Sequence, residues 1–181
     1  MKWYTADLHL NHQNILIYDE RPFDTIEEHD NAVIDSINYV CWKDDSLYIL
    51  WDISWRGNKS IELLKTIKCK NIFFTPGNHD FSKYVKKYEE ELWRTNLGLM
   101  HIDKESKVVL SHYPIEEWFH ARHKDWEWYL HIHWHSHGNW RVIPNRIDVW
   151  MTFKDYDRPI SLKELLIINE HNAQKDISKD D

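Results

Sequence analysis

Glycine is scarce in this chain of 181 residues: there are four, where average usage of about 7% would supply roughly a dozen. A site built on loops ordinarily draws on more. Cysteine is sparser still. Cys41 and Cys69 stand alone without CxxC spacing, which excludes a disulfide scaffold and reads as two buried thiols in a reducing cytoplasm. No apolar run approaches the roughly 20 residues needed to cross a bilayer. The start, Met1 to Asp7, has no apolar core of the secretory type, so a cytoplasmic protein is expected. Positive charge is in deficit too. A net charge of −7 argues against a broad surface for duplex nucleic acid. It leaves room for a phosphorylated substrate, because bound divalent cations invert the local field.

What the chain does have is a globular composition, 42% hydrophobic and 29% charged, and enough length for one domain with a real core. Its organising stretch is Thr75-Pro76-Gly77-Asn78-His79-Asp80. This follows Asn71–Phe74, a short apolar run that reads as a buried strand stopped sharply by Pro76 and Gly77. An amide oxygen, an imidazole and a carboxylate then follow at once. The amide ligates hard metals, the imidazole binds metal or moves protons, and the carboxylate fixes its tautomer. A turn in which Asn78 and Asp80 merely cap the next helix is the plainer alternative.

Four other stretches carry the same kinds of groups. Lys2–Ala6 reads as a first strand, and Asp7 and His9 after it point the same way in extended backbone. Ser46–Asp52 is nearly continuously apolar, as in a central strand covered on both faces. It ends in Asp52, a carboxylate that needs a positive partner there, either Arg56 or a metal. A strand at 107–111 ends in Ser111-His112-Tyr113-Pro114, after a partner strand at 99–103. Leu130–His137 sets four histidines on alternate positions, a chelating pattern inside the chain. Helices are expected over Thr25–Cys41, with Asp24 or Thr25 as N-cap, over Asn58–Lys68, and over Phe81 to about Trp93. Arg146–Met151 reads as a late strand and Ser161–Ile168 as a final short helix or strand. The domain is expected to span residues 1–168, with a polar tail from Asn169 to Asp181.

The pattern is one of strand ends that each deliver ligands. Alternation of strands and helices puts such ends on one rim of an α/β sheet, where ligands bind. Asp7, Asp52 and Asn78 offer three oxygen donors. His9, His112, His135 and His137 offer four nitrogen donors. These fill two metal sites that share one carboxylate and leave His79 over. Such mixed ligation suits Mn, Fe, Zn or Ni better than Ca.

DxH, a strand-terminal Asp, GNHD, SHYP and HxHG, in this order and spacing, resemble the motifs of the calcineurin-like metallophosphoesterase superfamily. Asn14 to Phe23 is similar to its small single-domain bacterial and phage members. The resemblance covers about residues 1–168. It implies a four-layer α/β/β/α sandwich and a dinuclear centre of divalent transition metals, Mn first among them. It also implies that Asp7, His9, Asp52 and His137 hold one metal, and that Asp52, Asn78, His112 and His135 hold the other. His79 would be the acid-base residue and Asp80 its orienting partner. The activity implied is hydrolysis of a small or single-stranded phosphorylated substrate, as a phosphodiesterase or phosphatase. The sequence departs from that pattern where Trp51, Trp134 and Trp150 stand in places the family gives to glycine, which accounts for much of the missing glycine. Two alternatives stand beside the enzyme: a catalytically weakened metal-binding scaffold or interaction module, and an unrelated transition-metal binding protein built on the His-rich strand.

Overall fold

In the computed structural model the described residues are 1–50, 52–55, 59–76, 82–92, 94–121, 128–133, 143–149, 151 and 157–177. In chain order they form β1 (Lys2–Ala6), α1 (Ile15–Tyr18), α2 (Ile26–Val40), β2 (Ser46–Leu50), α3 (Lys59–Lys65), β3 (Asn71–Thr75) and α4 (Ser82–Leu92). There follow β4 (Thr95–Asn96), β5 (Met100–Asp103), β6 (Val108–Ser111), β7 (Leu130–His133), β8 (Arg146–Asp148), β9 (Ile160–Ser161) and α5 (Leu162–Ile177). The protein is thus α/β, with two sheets. The first has the order β4-β3-β2-β1-β9 and the second β5-β6-β7-β8. Both are parallel at their centres, and β9 and β5 are antiparallel edge strands.

Strand alternation explains how the first sheet is covered on both faces. Leu47, Ile49, Ile72 and Phe74 pack with Val33, Ile37, Ile61, Leu64, Tyr88 and Leu92 from α2, α3 and α4. The intervening residues Tyr4, Ala6, Tyr48 and Leu50 join Val108, Leu110, Leu130, Ile132 and Ile147 of the second sheet in another apolar cluster. Successive side chains of a strand point to opposite faces, so β2 is apolar throughout because both its faces are buried. Tyr4, Tyr48 and Phe73 are register partners across β1, β2 and β3. They stack with ring centroids 5.0 Å apart at each step. A one-residue slip would throw the ladder to the other face.

The register also sets the rim. Ala6 pairs with Leu50 and Leu50 with Thr75, all parallel, so β1, β2 and β3 end level with one another. The residues Asp7, Asp52 and Pro76 that follow them leave the sheet at a single edge.

Two segments differ from the sequence reading. Ile15–Tyr18 is helical, where no element is expected from the sequence. Its brevity hides it, since a single turn shows no periodicity. At the other end, α5 continues past Ile168 to Ile177. Asn169 is buried there, donating to Asn145 Oδ1 at 2.9 Å and accepting the Asn145 N–H at 2.7 Å. Its polarity is satisfied by protein rather than by water, which composition alone does not distinguish.

Candidate metal centre

Asp7 is the first residue beyond β1, and it leaves the strand with φ of 51°. His9 and Asn11 repeat the left-handed conformation at 47° and 61°, and Asp52, after β2, has 44°. Asp, Asn and His enter this region more readily than other side chains, but it remains costly. The turn therefore depends on what holds it. The His9 N–H donates to Asp52 O at 2.9 Å and the Leu10 N–H to Ile53 O at 3.1 Å, tying the two outgoing chains together. The result is that one ligand atom from each of Asp7, His9 and Asp52 lies within 4.8 Å of the others.

All three are buried, Asp7 completely. Neither carboxylate oxygen of Asp7 has a hydrogen-bond donor among the described residues. His9 Nε2 stands 3.5 Å from Oδ1, beyond hydrogen-bond length. Burial pushes the Asp7 carboxyl well above its ordinary pKa, and the nearby charges of Asp52, Asp148 and Asp19 push it further, against the opposing pull of Arg21. Removing an ion from water costs on the order of several kcal/mol unless it is paired. The group therefore either holds a proton or meets a cation. Two carboxylates and an imidazole with that deficit fit a divalent transition metal. Asp148 closes β8 of the second sheet, and its charge is one of those that raise the Asp7 pKa.

His112 is the first residue after β6 and is 1% exposed. It lies outside the three-residue group, and its ring meets Tyr113 edge-on with centroids 4.5 Å apart. Asn78, His79, Asp80, His135 and His137 lie outside the described residues, as do Arg56, Trp51, Trp134 and Trp150. Of the four alternating histidines, His131 and His133 are described. Both are buried on β7, with ring centroids 5.1 Å apart. His131 shares a hydrogen bond of 2.7 Å with the Ser111 hydroxyl. Burial, then His133 and Arg146, holds the His131 pKa down to about 2. Burial and Arg146 hold that of His133 down to about 3. These two imidazoles are neutral at physiological pH.

Residues the motif pattern did not mark also stand here. His12, 7% exposed, sets its ring against His9 with centroids 5.3 Å apart and against Trp55 at 4.5 Å. Its place three residues after His9 in a polar stretch was the available signal. Arg21, His29 and Asp30 form a buried network beneath the Asp7 turn. His29 and Asp30 sit on the buried side of α2, where a His-Asp pair inside an apolar period marks something other than a solvated face.

No family model matches the chain. An uncharacterized protein of Methanocaldococcus jannaschii is 35% identical over 85 residues, covering 46% of this chain and 47% of that protein. The chain thus matches about half the length of that relative. The gene 66 protein of Mycobacterium phage L5 is 27% identical over 185 residues, covering 82% of this chain and 86% of that protein. Among solved structures, a protein of unknown function from Aquifex aeolicus superposes with a TM-score of 0.67 at 22% identity, covering 93% of this chain and 98% of that one. That likeness establishes a shared fold across nearly the whole length of both chains.

Proposed function

We propose that the protein is a metal-dependent phosphoesterase, a phosphodiesterase or phosphatase acting on a small or single-stranded phosphorylated substrate. The observation that carries this reading is the buried Asp7, His9 and Asp52 group at the level ends of two parallel strands, with an Asp7 carboxylate that no donor among the described residues satisfies. Asp7, His9, Asp52 and His137 would hold one ion, and Asp52, Asn78, His112 and His135 the other, with Mn as the first choice and Fe, Zn or Ni as substitutes. The ions would supply charge neutralisation for the phosphoryl group and a water of lowered pKa. His79 would hand a proton to the leaving oxygen, and Asp80 would keep its imidazole in the right tautomer. The four-layer α/β/β/α arrangement belongs to the same proposal. It is supported by the apolar cluster common to both sheets and by the helices packed on the outer face of the first.

The test is hydrolysis of bis-p-nitrophenyl phosphate by protein stripped of metal and refilled with Mn²⁺. Turnover is expected with metal and none in chelator. His79→Ala is expected to lower turnover about 100-fold with bound metal unchanged. A refilled protein that binds Mn²⁺ without hydrolysing any phosphoester would instead point to the scaffold alternative.

A further inference from the structure

The left-handed turn at Asp7, His9 and Asn11 is held on its inner side by a buried polar assembly. Arg21 is 4% exposed and His29 and Asp30 at most 1%. Arg21 Nη2 donates to Asp7 O at 2.9 Å and to Asp19 Oδ2 at 3.1 Å, and its Nη1 reaches Leu8 O at 3.4 Å. The same Nη1 stands 2.6 Å from His29 Nε2. A guanidinium only donates, so Nε2 must accept, and the ring proton is fixed on Nδ1. That proton points at Asp30 Oδ1, 2.9 Å away. The Asp30 carboxylate then accepts the Asn11 N–H at 3.0 and 3.2 Å. The chain of contacts leaves the turn at the carbonyls of Asp7 and Leu8, crosses Arg21, His29 and Asp30, and returns at the amide of Asn11. It closes a loop around the two residues proposed as ligands.

We infer that Arg21, His29 and Asp30 are positioning residues that fix the backbone of Asp7–Asn11 so that the Asp7 and His9 side chains stay aimed at one point. Three left-handed non-glycine residues at alternate positions persist only where the surroundings over-determine them, and these contacts add to the two bonds made to the Asp52 and Ile53 carbonyls. Arg21 touches main-chain oxygen, leaving the Asp7 carboxylate open to a cation. The inference rests on the metal-centre reading for its purpose, though its geometry does not.

The test uses the 181-residue protein with three variants. His29→Leu removes the acceptor and donor. His29→Gln keeps one acceptor and a donor on a side chain of comparable length. Arg21→Lys keeps the charge but not the forked reach. His29→Leu and Arg21→Lys are expected to weaken Mn²⁺ binding about 10- to 100-fold, the usual cost of losing a partner that orients a ligand, and His29→Gln to recover most of it. In metal-free protein, amide hydrogen exchange at His9, Leu10 and Asn11 is expected to quicken at least tenfold, with Tyr48 and Phe74 in the sheet unchanged. Wild-type Mn²⁺ affinity and exchange in both disruptive variants would overturn the inference. So would uniformly faster exchange throughout the sheet, which is what a merely structural role produces. If the wild type takes up no Mn²⁺, the metal reading fails. Localised loss of protection at residues 9–11 would then still uphold the clamp, and uniform loss would end it.

Discussion

At the scale of single residues, Asp7 carries the most information. Its pKa is raised, first by burial and then by Asp52, so the folded metal-free protein holds that proton more tightly than the unfolded chain does. Its contribution to stability is full below the ordinary carboxylate value of about 3.9. It is lost as pH rises through the elevated folded value. With chelator present, Asp7→Asn should therefore match the wild type near pH 4 and become progressively the more stable of the two as pH rises toward 8. Thermal melts of both proteins across that range check this. A wild type that gains on the variant as pH rises would mean that the Asp7 carboxylate already has a compensating partner. Mn²⁺ added at pH 8 should stabilise the wild type by more than the variant.

Among the elements, α2 shows how local chemistry sets a boundary. Thr25 accepts the Glu28 N–H at 3.2 Å, and the Glu28 carboxylate accepts the Thr25 N–H at 3.2 Å, a reciprocal capping box. Thr25→Ala should cost about 1 kcal/mol, read as a lower urea midpoint with an unchanged slope. No change would mean the helix start is set by tertiary packing alone. This boundary was legible to within one residue, as Asp24 or Thr25, because acidic residues open an apolar period there. So was the central place of β2, whose run of large apolar residues leaves no polar face. The extent of α5 was not legible, because Asn169 is buried by a partner, Asn145, 24 residues away in sequence. The Arg21, His29 and Asp30 network was equally hidden. The His29-Asp30 pair stands inside an apolar period, but nothing in the sequence links it to Arg21, and only the fold brings Arg21 beneath the Asp7 carbonyl. The candidate ligands are visible in the sequence as polar residues following strand ends. Its Asp7, His9 and Asp52 part is the part the described residues bring together.

On the scale of the whole molecule, the two sheets are joined through one apolar cluster, and the charge of Asp148 from the second sheet reaches Asp7 at the rim of the first. A centre built from both sheets would make metal binding a property of their packing, and loss of metal would loosen that packing. The net charge of −7 gives no broad attraction for polyanions, so a phosphorylated substrate would be drawn by the ions themselves. In the proposed two-metal centre Asp52 is shared by both ions. The most direct test is the amount of Mn²⁺ held per chain at equilibrium dialysis, in the wild type and in Asp52→Asn. The wild type should retain close to two ions and the variant well below two, with both proteins folded by circular dichroism. Two ions retained by Asp52→Asn, or none by the wild type, would rule out a centre bridged by Asp52.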